Sequence, residues 1–137
     1  MNEKKWILFV LLFFTCAVTG CTLGHSKPDA TISSSTIFTS QIQEKTTEIM
    51  IYPNDTGIKI DNREDIDKLY HLLSSLSLTQ TSKQESDIDG GLTIEIITGD
   101  STIQFHLTSN ILGINNIIYS FDSDLLQDIT NIYEAYL

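Results

Sequence analysis

The sequence predicts an α+β domain in which an antiparallel sheet of about four to six strands carries two helices on one face, in the order β-β-α-β-β-(β-β)-α. Three observations carry that expectation. Apolar residues alternate with polar ones on both sides of Gly99-Asp100 and again around Pro53-Asn54-Asp55-Thr56. Two further stretches, 66–76 and 125–136, space their apolar residues three and four apart. Period two belongs to a strand with one buried face, and a period near 3.6 belongs to a helix with one buried stripe. Hairpins dominate such a pattern, so the sheet is expected to be antiparallel, with one apolar side covered and the other facing solvent.

Taken in order, Ile49 and Ile51 precede the first turn and Ile58 and Ile60 follow it. Setting 51 against 58 and 49 against 60 places all four isoleucines on one face. Asp61 and Glu64 have the spacing of a capping box, and Ile66, Leu69, Leu72, Leu73 and Leu76 then form the stripe of a helix over about 62–76. Residues 77–91 are polar and acidic and read as a loop. Across Gly99-Asp100, a pair suited to a type II′ turn, Leu92 faces Leu107, Ile94 faces Phe105 and Ile96 faces Ile103. Residues 111–120 flank Asn115-Asn116, which tolerate positive φ, so they form either a second hairpin or one bulged strand. Asp122 and Asp124 then open a helix whose stripe is Leu125, Leu126, Ile129, Ile132, Tyr133 and Tyr136.

The amino terminus has a different character. Lys4 and Lys5 precede an unbroken apolar run of nine residues, Trp6 to Phe14, well short of the ~20 residues needed to cross a bilayer. The run ends in small residues, which is the layout of a cleavable signal. Val18-Thr19-Gly20-Cys21 resembles the lipobox of bacterial lipoproteins: one aliphatic residue, two small ones and a cysteine. The resemblance implies cleavage between Gly20 and Cys21, a diacylglyceryl group on the Cys21 thiol, and a location on the extracytoplasmic face of the cell membrane. Two acyl chains supply the double signal that durable anchoring requires. The expected organisation is a signal peptide over 1–20, a lipidated cysteine and flexible tether over 21–47, and one domain over 48–137. Residues 22–47 include 11 Ser/Thr and show no apolar period, so their reach as a flexible chain is roughly 25–30 Å. A fragment starting near Thr47 is then expected to fold cooperatively by itself.

Helix 66–76, the loop Thr81-Ser82-Lys83-x-x-Ser86 with Asp87, hairpin 92–107 and the ending 119–137 resemble small uncharacterised lipoproteins of low-GC Gram-positive bacteria. That likeness carries no activity over to this chain, and the loop lacks the proline such relatives often have near Asp89.

Charge narrows the function. With 8 Lys+Arg against 18 Asp+Glu the chain has a net charge of −10 and no cationic cluster beyond Lys4-Lys5. Phosphate backbones are held by clustered cations, so nucleic acid is excluded as a partner. Cys16 leaves with the signal and Cys21 takes lipid, which leaves no cysteine for a disulfide. Asp87-x-Asp89-Gly90 hints at a calcium loop, but with Gly90 in the invariant glycine position Ile96 falls where a bidentate glutamate is required. A solvated turn accounts for it better. His25, His71 and His106 do not converge, no nucleophile elbow or Ser-x-x-Lys is present, and no cofactor is expected. One lobe also falls short of a two-lobed solute-binding lipoprotein. The open sheet face, with Thr93, Glu95, Ile97, Thr102, Gln104 and His106, is the candidate interaction surface. The expected function is a membrane-anchored module that binds a protein or peptide at the cell surface; the alternatives are a small extracytoplasmic hydrolase and a weak calcium-binding module.

Overall fold

A computed structural model of the protein describes residues 30–137. They form β1 Thr31–Ser33, α1 Ser40–Lys45, β2 Thr46–Tyr52, β3 Ile58–Ile60, α2 Arg63–Ser74, β4 Ser77–Gln80, β5 Leu92–Thr98, β6 Thr102–Leu107, β7 Ile111–Ile114, β8 Ile117–Ser120 and α3 Leu125–Glu134. All eight strands join one sheet in the order β1-β4-β8-β7-β6-β5-β2-β3, and every pair is antiparallel. The α+β class and the antiparallel sheet agree with the sequence reading. The count does not: there are eight strands rather than four to six, and three helices rather than two.

The periodic regions fold as their spacing dictates. Ile49 lies opposite Ile60 and Ile51 opposite Ile58. Leu92 lies opposite Leu107, Ile94 opposite Phe105 and Ile96 opposite Ile103. Residues 111–120 form a hairpin rather than one bulged strand, with Asn115 and Asn116 at φ 52° and 62°. Positive φ at both central residues is the type I′ turn, whose twist matches that of the paired strands. The inward side chains of β2, β3, β5 and β6 meet Ile66, Leu69 and Leu73 of α2 and Leu125 and Ile129 of α3 in one buried cluster.

Two local details differ from the sequence reading. The α2 N-cap is Asn62, one residue past Asp61, because its side-chain oxygen reaches the amides of Glu64 (2.9 Å) and Asp65 (3.4 Å). Asp61 pairs with Lys59 at 3.0 Å instead. The Gly99-Asp100 turn is not type II′, since Gly99 lacks the positive φ that form requires. Thr98 closes it with its own side chain, Oγ1 accepting from the Ser101 amide at 3.1 Å.

The larger departure lies before residue 48, where the sequence reading placed a flexible tether with room for a short helix over 37–43. Ser34 is fully buried and holds Leu76 through two bonds, Ser34 N–H to the Leu76 carbonyl at 2.9 Å and Leu76 N–H to Ser34 Oγ at 2.8 Å. Phe38 is 2% exposed and meets the edge of Phe105, with ring centroids 5.1 Å apart at 62°. Thr39 caps α1, accepting from the Ile42 amide at 3.3 Å. Buried Thr46 bonds the Ile42 carbonyl and the Tyr70 hydroxyl at 2.8 and 2.9 Å. The Arg63 guanidinium donates to the Gln43 carbonyl (3.0 Å), the Thr46 carbonyl (3.2 Å) and Asp67 Oδ1 (2.7 Å), so the end of α1 is tied to the start of α2. The segment shows no period because it turns between short elements, and each apolar residue fills a separate place.

β4 was hidden for a related reason. It falls inside the stretch read as loop and has one apolar residue, the fully buried Leu78. It pairs with β1 through Thr31, Ile32 and Ser33 opposite Thr79, Leu78 and Ser77, and with β8 through Thr79 opposite Ser120. Its neighbours on both sides, rather than its own alternation, define it.

Candidate functional site

Strand register sorts the site residues. Tyr52, Thr93, His106, Gly113 and Ile118 are directly opposed across β2, β5, β6, β7 and β8. Met50, Glu95 and Gln104 form the next row, and Glu48, Ile97 and Thr102 the one after it. These rows alternate with the buried isoleucines, so all six residues of the candidate surface share the outer face. Thr102 and Gln104 are exposed, whereas Thr93, Glu95, Ile97 and His106 are half-buried.

Hydrogen bonds order this face. His106 Nε2 lies 2.8 Å from the Gly90 carbonyl oxygen, and a carbonyl only accepts, so Nε2 carries the proton. His106 Nδ1 lies 3.1 Å from Thr93 Oγ1. In the neutral ring Nδ1 then accepts from the threonine hydroxyl. Beside it, Tyr52 donates to Glu95 Oε2 at 3.1 Å, and this bond to a carboxylate raises the Tyr52 pKa above the usual phenol value, with desolvation adding to it. Gly57 makes room for the tyrosine, since a Cβ there would stand 2.6 Å from Tyr52 Cε1.

The outer face is not uniformly open, as the sequence reading had it. The segment between β4 and β5 crosses it at the β6–β8 end. Thr81 extends the β8 ladder by donating to the Ile118 carbonyl at 2.8 Å, and Ile118 is fully buried although it belongs to the outer row. The segment re-enters the sheet through Gly90 and Gly91, at φ 72° and 93°. At Gly91 a Cβ would fall 2.3 Å from the Leu107 carbonyl oxygen, so only glycine passes there. Between this segment and the β7–β8 turn lies a hollow of ≈ 520 Å³, within the roughly 300–1,000 Å³ of ligand pockets. Ile88 stands on one side, Asn115 and Asn116 on the other, and Thr93, Gln104, His106 and Gly113 also line it.

The Thr93–His106–Gly90 chain has the order hydroxyl, imidazole, orienting carbonyl that nucleophilic catalysis uses. The strand around it works against that chemistry. β5 is paired on both sides, with β2 and with β6, so amides next to Thr93 are committed to ladders rather than offered to an oxyanion. Asp87 Oδ2 accepts from the Gln84 amide at 2.9 Å and closes a local turn. Among the described residues no group of three or more His, Cys, Asp or Glu is placed to hold a metal ion. Asp67, four residues before His71 on α2, binds Arg63 and Gln43 rather than the histidine. These two bonds, that from Gln43 first, hold its carboxyl below the ordinary value. Exposed His71 lies on α2, on the opposite side of the sheet from His106. Val18, Thr19, Gly20, Cys21 and His25 lie outside the described residues.

Sequence reasoning missed Tyr52, Ile88, Gly113, Asn115 and Asn116 as members of this surface. Extending the strand parity from β5 to β2 would have found Tyr52. The others depend on the crossing segment and on the β7 register, which no local pattern announces.

No protein-family model, no curated protein and no solved structure matches the chain.

Proposed function

We propose that the protein is a lipoprotein anchored through Cys21 to the extracytoplasmic face of the cell membrane, with its domain serving as a docking module for a protein or peptide at the cell surface. The lipobox-like Val18-Thr19-Gly20-Cys21 behind a short apolar run supports the anchor. Among the described residues no helix is long and apolar enough to cross a membrane. A single observation carries the docking reading: β5 is paired on both sides, so the Thr93–His106–Gly90 chain lies among amides already committed to the sheet, and it orders a surface rather than flanking an oxyanion site.

Two measurements test this. Intact mass of membrane-extracted protein should correspond to loss of residues 1–20 plus a diacylglyceryl group, and Cys21→Ser should release the protein from the membrane. Retention of processed Cys21→Ser would remove the anchor. A photo-crosslinking residue at Thr102 should capture a reproducible surface partner on intact cells, while one at exposed His71 should not. The hydrolase alternative rests on the Thr93–His106–Gly90 order, and labelling of Thr93 by a fluorophosphonate would establish it in place of docking.

A further inference from the structure

We propose that the hollow beside Gly113 selects the partner by taking an extended, uncharged peptide segment rich in amide and hydroxyl side chains. This rests on the outer face being the docking surface, and it adds the chemistry of what docks there. The chain carries −10 overall, yet among the described residues that line the hollow His106 has the one ionisable side chain. Gln104, Asn115 and Asn116 each present both an amide donor and an amide acceptor, which is what a peptide backbone or an Asn, Gln, Ser or Thr side chain pairs with. The Asn115-Asn116 turn is held in the left-handed region at both positions, so that wall is preorganised. His106 is held between Thr93 and Gly90 and cannot swing in to fill the space.

Gly113 supplies the floor. It sits between His106 and Ile118 in the outer row, is buried, and adds no side chain to the lining. A glycine inside a strand marks a place where another chain can approach closely. An acidic segment is repelled by the protein's field and meets no cation in the described lining; a basic one is drawn by that field but finds no carboxylate in that lining to pair with. Phe105 is the one aromatic residue among the described lining, and it is buried with its ring packed on Phe38, so a sugar ring has little to stack on.

The test uses the isotope-labelled full chain in detergent micelles and reads amide shifts. The blocked peptide Ac-Ser-Asn-Gln-Thr-NH2 should shift residues 102–106 and 113–116, and Ac-Ser-Asp-Glu-Thr-NH2 and N,N′-diacetylchitobiose should not. Gly113→Val should weaken the neutral peptide by at least about tenfold, and Gln104→Ala, at an exposed position, by a few-fold. No shift with the neutral peptide, or equal shifts with the acidic peptide or the sugar, overturns the proposal. Capture of a partner at Thr102 that Gly113→Val leaves unchanged overturns it while the docking reading stands, and loss of capture at every outer-face position removes the docking reading itself.

Discussion

Two regions of the described chain are held by different means. In β2, β5 and β6 the strands run six or seven residues, and their isoleucines, leucines and Phe105 repeat every second residue, so pairing is over-determined. From 31 to 46 one strand of three residues, one short helix and a single aromatic ring attach the chain to the same core. A periodic surface declares itself, whereas a segment docked at isolated points is visible only from the sites that receive it. Both regions nonetheless bury side chains in one cluster, and removing either should damage the other.

The most severe test is removal of the docked segment. A chain beginning at Thr47 loses Phe38, the Ser34–Leu76 bonds and the strand that covers β4, and should lack a cooperative urea transition. A cooperative, native-like fragment would restore the tether reading for 31–46. Next, Phe38→Ala and Phe105→Ala should each lower unfolding stability by about 3–5 kcal/mol. The double variant should cost less than the sum of the two, since both remove the same contact, and strict additivity would separate the regions.

Smaller effects separate neighbouring residues. Asn62→Ala should cost about 1 kcal/mol through the lost cap. Asp61→Ala should stay within about 0.5 kcal/mol, being an exposed partner of Lys59. The reverse ranking would return the helix start to Asp61.

The smallest expected effect is the bond from the Tyr136 hydroxyl to Asp65 Oδ2, 2.7 Å long, which fastens the chain end to α2. Burial pushes the Tyr136 pKa up to about 12, with the Asp65 carboxylate adding to the rise. The same bond holds the Asp65 carboxyl below its ordinary value. A raised folded pKa gives stability that is complete below the unfolded phenol value near 10 and lost as pH rises through about 12. A lowered one gives stability present above the unfolded value of 3.8 and lost as pH falls below it. The difference in urea midpoint between wild type and Tyr136→Phe should therefore be flat near neutrality and shrink toward both extremes. A pH-independent difference would show that the hydroxyl does not act through Asp65.

Legibility followed periodicity. Register in the two long hairpins was readable because a slip of one residue would have turned every isoleucine outward. The 111–120 hairpin was half-readable, since Asn-Asn permits a tight turn without requiring one. β4 and β1 were unreadable because each has one apolar residue and depends on strands distant in sequence. Of the candidate surface, the six outer-face residues came directly from strand parity. The hollow did not, because its walls come from the segment after β4 and from a turn that only tertiary pairing brings alongside.

The position of β1 alters the mechanics of the proposed anchor. Thr31 is bonded at the rim of the sheet ten residues after Cys21, so the leash can span at most roughly 33–36 Å when fully drawn out. Seven strand spacings of about 4.8 Å separate β1 from β3, so the sheet is about as wide as the leash is long. If Cys21 is the anchor, the β1 rim can stand no farther than that length from the bilayer, whereas the β3 rim and its 53–57 turn can reach about twice as far.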